Sequence, residues 1–302
     1  MIDDRDFDVI IIGGSYSGLS AGMALGRALR QVLIIDSGKP CNAQTPHSHN
    51  FLTQDGQTPQ EISSKARKQV ANYPTIRFHE GYALSARKID KGFEIATRSG
   101  DRFTAKKLIF ATGIKDIMPN IEGFAQCWGI SIIHCPYCHG YEVKHQKTAV
   151  FGNGEYGFEF SKMIHNWTED LSLFTNGKST LTGEQTEKLR EHNINIIETE
   201  VDRFEHHQGQ IKVVHFKDGS KTMLKALYAR TDFEQHSDIP KALGCELTEE
   251  GYIEVDLFQK TTIDGVFACG DNTTFMRSVS NAVAAGTVAG AVVNKELIDE
   301  AF

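Results

Sequence analysis

The chain has 302 residues, 40% of them hydrophobic and 24% charged, which is long enough for two domains with separate cores and too apolar for a disordered protein. A net charge of −7 and the lack of a dense Lys/Arg cluster exclude an electrostatic footprint for nucleic acid or anionic lipid. No apolar run reaches the roughly 20 residues of a membrane helix, and the acidic start, Met1 to Asp8, lacks a signal-peptide pattern, so a cytoplasmic protein with no membrane or nucleic-acid partner is expected.

In chain order, residues 7–12 form a β-branched run, followed by glycines, a small-residue helix expected over 18–29, and a second apolar run, 31–35, ending at Asp36. This is strand, turn, helix, strand. Residues 77–95 alternate with turn residues, and 107–111 reads as a buried strand closed by Thr112 and Gly113. The first pattern then returns: a strand over 147–151, a glycine turn to Gly157, a helix to about Trp167 and a strand over 171–174. In the last quarter a buried strand over 265–268 is closed by Gly270 and Asp271 and followed by an Ala/Gly-rich helix over 279–293, features that complement the first unit. The expected fold is therefore α/β, with two doubly wound, Rossmann-like dinucleotide-binding domains, the second inserted in the first. The expected boundaries are about 1–114 and 238–302 for the first domain and 115–237 for the second.

Gly13, Gly14, Ser15 and Gly18 fit G-x-G-x-x-G except that Ser15 stands at the second glycine position. The turn follows a strand and opens a helix whose N-terminus suits a pyrophosphate, and Asp36 at the next strand end can bond a ribose hydroxyl. The stretch CPYCHGYE, residues 135–142, allows several readings. Zinc would need two further ligands, for which Cys127 and His134 are poorly placed, so no metal is expected. Cys135, Cys138 and His139 also spell the haem-attachment string, which requires export. The pair could be two reduced structural thiols; the spacing also suits a dithiol/disulfide redox centre, the reading preferred here. Cys41, Cys127, Cys245 and Cys269 read as structural thiols, and His206 and His207 as part of a solvated, charged turn before Gly209.

Taken together, these motifs resemble the thioredoxin reductase family of flavoproteins over nearly the whole chain. Ala111, Thr112 and Gly113 are similar to the family's A-T-G crossover. Residues 261–271, TTIDGVFACGD, are similar to its second FAD fingerprint, with Gly270 and with Asp271 on the ribityl chain. Arg277, Ser278 and Val279 match the R-Q-A at a helix start that faces the flavin N1/O2 edge. Asn50 falls in a segment that by the same resemblance lines the flavin pocket; the neighbouring His47 and His49 read as loop histidines. The resemblance implies FAD as cofactor, Cys138 as the thiol beside the flavin, Cys135 as the outer thiol, a homodimer, and a thioredoxin-like protein or a small dithiol or disulfide as substrate.

Two departures stand out. His139 replaces the family's Asp after the second cysteine, and His134 precedes the first, so an imidazole is the expected acid/base partner of the thiols. The CPYCHG string is similar to the dithiol oxidases of gliotoxin- and holomycin-type metabolites and to reductase-like proteins deficient in their NADPH site. In the inserted domain Gly152, Gly154 and Gly157 complete a G-x-G-x-x-G, yet the strand end reads Thr175, Asn176, Gly177, Lys178, where NADPH-using relatives place arginines. Glu155 and Tyr156 add charge and bulk to the same turn, which leaves NADPH doubtful. An oxygen-dependent dithiol oxidase and a flavin redox sensor without turnover stand as alternatives to a disulfide reductase.

Overall fold

A computed structural model describes residues 5–302. They fall into two compact units, one running to Ala43 and resuming over Phe51–Lys115 and Phe233–Phe302, the other made of Gln44–Asn50 and Asp116–Asp232. The short segment Gln44–Asn50, expected with the first domain, thus packs with the second. Its side chains explain why: Gln44 Nε2 donates to the Trp128 carbonyl at 2.5 Å, and Ser48 is buried.

The first unit is built on a central strand, Asp6–Ile12, paired in parallel with Val32–Asp36 on one side and Arg102–Phe110 on the other. Val9 and Ile11 pack into one core, and Phe7, Ile10 and Ile12 into another. Both faces are covered, so the strand reads as a continuous apolar run rather than an alternation. Ile76–Glu80 extends the parallel sheet beyond Val32–Asp36. The long Arg102–Phe110 strand divides its edge: its first residues pair antiparallel with Gly92–Thr97, and Leu108 to Phe110 pair in parallel with Val266–Ala268. A strand from near the start of the chain and one from its last quarter therefore share a neighbour.

The helix Val279–Asp299 lies on the helix Tyr16–Arg27, and the contact is close because the facing residues are small. A Cβ added at Gly286 would stand 2.1 Å from the Ser17 carbonyl oxygen, and Ser20 Oγ donates to the Val283 carbonyl at 2.7 Å. The helix runs past the expected end at residue 293, because its last turns are held by both packing and charge: Leu297 is buried in the core, and buried Lys107 Nζ meets Glu296 Oε2 at 2.9 Å and also binds Glu300. Burial pulls the Lys107 ammonium down, but the two carboxylates outweigh it and hold the group above its ordinary range. Among the described residues no helix is long and apolar enough to cross a membrane.

The second unit holds a parallel sheet ordered Asn195–Ile197, Leu171–Phe174, Thr148–Phe151, Ala226–Ala229, Ile132–Ile133. Beside it in sequence comes an antiparallel trio, Val201–His207, Gln210–Phe216 and Lys221–Met223. His206 and His207 thus end a strand rather than occupy a turn; Gln208 and Gly209, both at positive φ, make the turn, and the Gly209 N–H donates to His206 Nδ1 at 3.3 Å.

The first glycine turn is too tight for a side chain at Gly13 or Gly18. Gly13 has φ of 107°, and a Cβ at Gly18 would lie 1.9 Å from the Gly13 oxygen, which is backbone and cannot swing aside. A Gly18→Ala variant is expected to lose roughly 1–3 kcal/mol, the usual cost of overpacking, and a thermal melt should show a clear drop; an unchanged melting temperature would show that the turn yields.

Candidate active site

Two groups of residues carry chemistry, one in each unit. In the first unit, the ends of Asp6–Ile12, Val32–Asp36 and Arg102–Phe110 bring Gly13 to Gly18, Asp36 and Ala111 to Gly113 together. A Cβ at Gly13 would meet the Ala111 oxygen at 2.1 Å, and the Gly14 N–H donates to Asp36 Oδ1 at 3.2 Å. The second Asp36 oxygen lies 3.9 Å from Arg67 Nη1. Ser15 occupies the N-cap of the Tyr16–Arg27 helix without capping it through its side chain, so the first-turn N–H groups are not closed off by a serine hydroxyl. Anions favour such a helix start.

Gly270 and Asp271 follow Val266–Ala268, and Asp271 Oδ2 stands 3.7 Å from Arg277 Nε. That carboxylate answers the question posed by a cation at a helix start, where the dipole alone would be unfavourable. Ser278, not Arg277, caps the helix, accepting from the Asn281 N–H at 3.2 Å; Val279, its first residue, packs with Tyr16, Ile62 and Ala282. Reading the motifs missed Asn272. It is wholly buried, and its Nδ2 donates to the Phe110 carbonyl at 2.9 Å and contacts Thr112 Oγ1 at 3.3 Å. Its Oδ1 has no hydrogen-bond partner among the described residues. An unmet buried acceptor costs about 1–3 kcal/mol, so one beside the crossover fits a polar cofactor that supplies a donor. The residues present suit a flavin dinucleotide: a turn kept open by glycines at Gly13, Gly14 and Gly18, a carboxylate at the strand end and an orphaned amide oxygen.

In the second unit, Cys135 and Cys138 form a disulfide, with Cα atoms 5.3 Å apart. Cys135 is the N-cap of the single turn Pro136–His139, and Pro136 at the first helical position has no N–H to leave unmet. The Cys138 N–H donates to Cys135 Sγ at 3.2 Å, a contact that would stabilise a Cys135 thiolate. The other thiols differ: Cys127 and Cys269 are buried, which pushes them up to about 11 and about 12, and Cys245 is buried as well. Cys41, expected to be structural, is exposed. Among the described residues no group of three or more His, Cys, Asp or Glu is placed to hold a metal ion.

His139 is the last residue of the turn, its N–H donating to the Cys135 carbonyl at 3.2 Å, and its ring is half-buried. Burial first, and His49 second, push its imidazole below the ordinary range, against a smaller opposing pull from Glu142. His134 stacks its ring on Trp128, with centroids 5.8 Å apart. Asn50 is exposed, at φ of 58°, in the segment that packs with the second unit. His49, read from sequence as a loop residue, instead places its ring edge-to-face with His139 at 6.4 Å and its Nε2 3.6 Å from Glu142 Oε1. Of the two neighbours of His49, His139 is the acid/base residue expected from the sequence, whereas Glu142 is there only the last letter of CPYCHGYE.

The second glycine turn is occupied by the protein itself. Asn153 Oδ1 accepts from the N–H groups of Gly154 and Thr180, both at 2.8 Å, and Thr180 Oγ1 would stand 2.8 Å from a Cβ at Gly154. The ring of Tyr156 lies against Gly152, 2.7 Å from where a Cβ would be, and stacks on Phe160 at 5.4 Å. Burial pushes its phenol well up, and its hydroxyl has no hydrogen-bond partner among the described residues. At the strand end Thr175 is buried and donates to the Gly177 carbonyl, Asn176 accepts from the Val201 N–H, and the carboxylate of Glu198 accepts from the Ser179 N–H at 2.6 Å.

Comparison with known proteins agrees with this arrangement. The chain is 32% identical over 304 residues to "Thioredoxin reductase tcpT" of Claviceps purpurea, covering 96% of this chain and 94% of the other. Among solved structures it is similar to an oxidoreductase from Agrobacterium tumefaciens, 36% identical with a TM-score of 0.92 and coverage of 97% and 99%. It is also similar to a putative thioredoxin reductase TrxB from Bacillus anthracis, 29% identical with a TM-score of 0.93 and coverage of 98% and 100%. The model of the pyridine nucleotide-disulphide oxidoreductases matches residues 7–286. A chain with this fold, a cysteine pair closed on one helical turn and relatives of this kind belongs to the pyridine nucleotide-disulphide oxidoreductase family, as a thioredoxin reductase-like thiol/disulfide oxidoreductase.

Proposed function

We propose that the protein is an FAD enzyme that exchanges two electrons between its flavin and the Cys135–Cys138 pair, with a thioredoxin-like protein or a small dithiol as sulfur substrate. The observation that carries this reading is the disulfide on a single turn with the Cys138 N–H aimed at Cys135 Sγ, in a chain that also holds the Gly13–Gly18 cradle. The flavin, when bound, supplies a two-electron store. Gly13, Gly14, Ser15 and Gly18 would receive its pyrophosphate, Asp36 a ribose hydroxyl, and Ala111 to Gly113, Gly270, Asp271, Asn272 and the helix start at Arg277, Ser278 and Val279 the rest of the molecule; Asn50 is included on resemblance.

Cys135 exchanges with the substrate sulfur, and Cys138 is the leaving or resolving thiol. His139 moves the proton that each exchange takes up or releases, a role that suits a half-buried imidazole held mostly neutral near pH 7. His134, stacked on Trp128, is the second histidine of the set. The homodimer rests on the resemblance alone.

Purified protein is expected to be yellow with bound FAD. Anaerobic mixing with NADPH, NADH, reduced ferredoxin or a dithiol, followed by flavin absorbance, identifies the donor. A colourless protein that takes up no FAD on reconstitution would overturn the reading.

A further inference from the structure

We propose that His49 and Glu142 are positioning residues for His139, setting its imidazole to receive the proton of an incoming thiol. This rests on the reading of His139 as the acid/base group of the cysteine pair. The observation is a tertiary one. His49 comes from the Gln44–Asn50 segment, which the Gln44 bond to the Trp128 carbonyl ties to the second unit. That anchor brings three ionisable groups together at the end of the turn that carries the disulfide: the His139 ring, the His49 ring edge-to-face at 6.4 Å, and Glu142 with its Oε1 3.6 Å from His49 Nε2.

The chemistry needs a base. When a substrate thiol opens the disulfide, its proton leaves for His139 and its sulfur bonds Cys135 Sγ. The Cys135–Cys138 bond breaks, and Cys138 departs as a thiolate with the electron pair. A free thiol has a pKa near 8.5, so at neutral pH only a few per cent is thiolate, and a neutral imidazole nearby relieves that shortage. The Glu142 carboxylate lies 3.6 Å from His49 Nε2, close enough to hold a charged His49 ring in place, and a positive charge on that ring opposes a proton on His139. His49 and Glu142 act on His139, and Glu142, His139 and His47, whose ring lies 6.4 Å away, face His49.

The test uses the FAD-loaded enzyme with dithiothreitol as the dithiol, measuring kcat/KM from pH 5 to 9 for wild type, His49→Gln, His49→Lys and His139→Gln. Removing the His49 charge should let His139 bind protons more readily. The acid limb should then move to higher pH, with activity at the acid end lower by about threefold or more, the effect of a unit charge at ~6 Å even in water, and an unchanged alkaline plateau. His49→Lys, which keeps a positive charge opposite Glu142, should restore the wild-type limb. As a readout independent of turnover, the His139 ring resonance, assigned by its loss in His139→Gln, should titrate at higher pH in His49→Gln. A His49→Gln profile that matches wild type, or falls equally at every pH, overturns the positioning role. If His139→Gln keeps the wild-type acid limb, the assignment of His139 itself falls, and the two failures are told apart.

Discussion

Cys138→Ser is expected to accumulate a mixed disulfide between substrate and Cys135, with steady-state turnover reduced by roughly 10³-fold or more, the scale seen when a covalent nucleophile is removed. The asymmetry comes from the turn. Cys135, at its N-cap, receives the Cys138 N–H at 3.2 Å, so Cys135 is the sulfur whose negative charge the backbone stabilises. Neither substitution removes the backbone N–H, and serine fits where cysteine stood, so both variants should fold. From a small linear disulfide the Cys135 thiolate takes one half and releases the other as a thiol; without Cys138 nothing on the chain resolves the adduct, and intact-mass measurement should show one added half-disulfide per chain. Cys135→Ser should lose turnover equally and show no such adduct. The opposite pattern would exchange the roles of the two thiols.

Micromolar NADPH should leave the flavin oxidised, with reduction reached only near millimolar concentrations or not at all. A micromolar dissociation constant corresponds to about −8.2 kcal/mol and a millimolar one to about −4.1. Relatives that use NADPH hold its 2′-phosphate with arginines, and each charge-assisted hydrogen bond is worth about 1.5–3 kcal/mol. Losing two accounts for the whole difference. Here the corresponding strand end offers Thr175 and Asn176, whose side chains are already engaged, and Glu198, whose charge repels a phosphate. At the glycine turn the Gly154 N–H is already taken by Asn153 Oδ1 and Thr180 stands close over Gly154, which weakens the cradle a pyrophosphate would need. Stopped-flow reduction that saturates at micromolar NADPH would return the protein to the ordinary NADPH-dependent reductases. Membership of a family defined by pyridine nucleotides describes the fold of the second unit and leaves its donor open.

Much of this was legible in the sequence because it is local. Both glycine turns sit between a strand and a helix, and the cysteine pair spans a single turn, so spacing alone brings their residues together. Helix limits were read less well: the first helix begins at Tyr16, two residues before the glycine that packs it, and the last extends to Asp299 on the Lys107 ion pairs. What the sequence hid is tertiary. His49 looks like any loop histidine until Gln44 and Ser48 fasten its segment beside His139, and Asn272 looks ordinary until burial leaves its Oδ1 unmet. Glu198 gives no signal at all, since it reaches the Ser179 N–H from the far side of an intervening helix in the chain.

The shared edge of the Arg102–Phe110 strand also fixes an order of events during synthesis. Leu108, Ile109 and Phe110 wait for Val266, Phe267 and Ala268, which lie 158 residues further along the chain. At ~5–20 residues per second that wait is roughly 8–32 s. Residues 116–232 are complete well before it ends, so the inserted unit can close while its host is still open. Through that interval the nascent chain carries an unpaired apolar strand edge, the kind of surface that recruits chaperones or other unfinished chains.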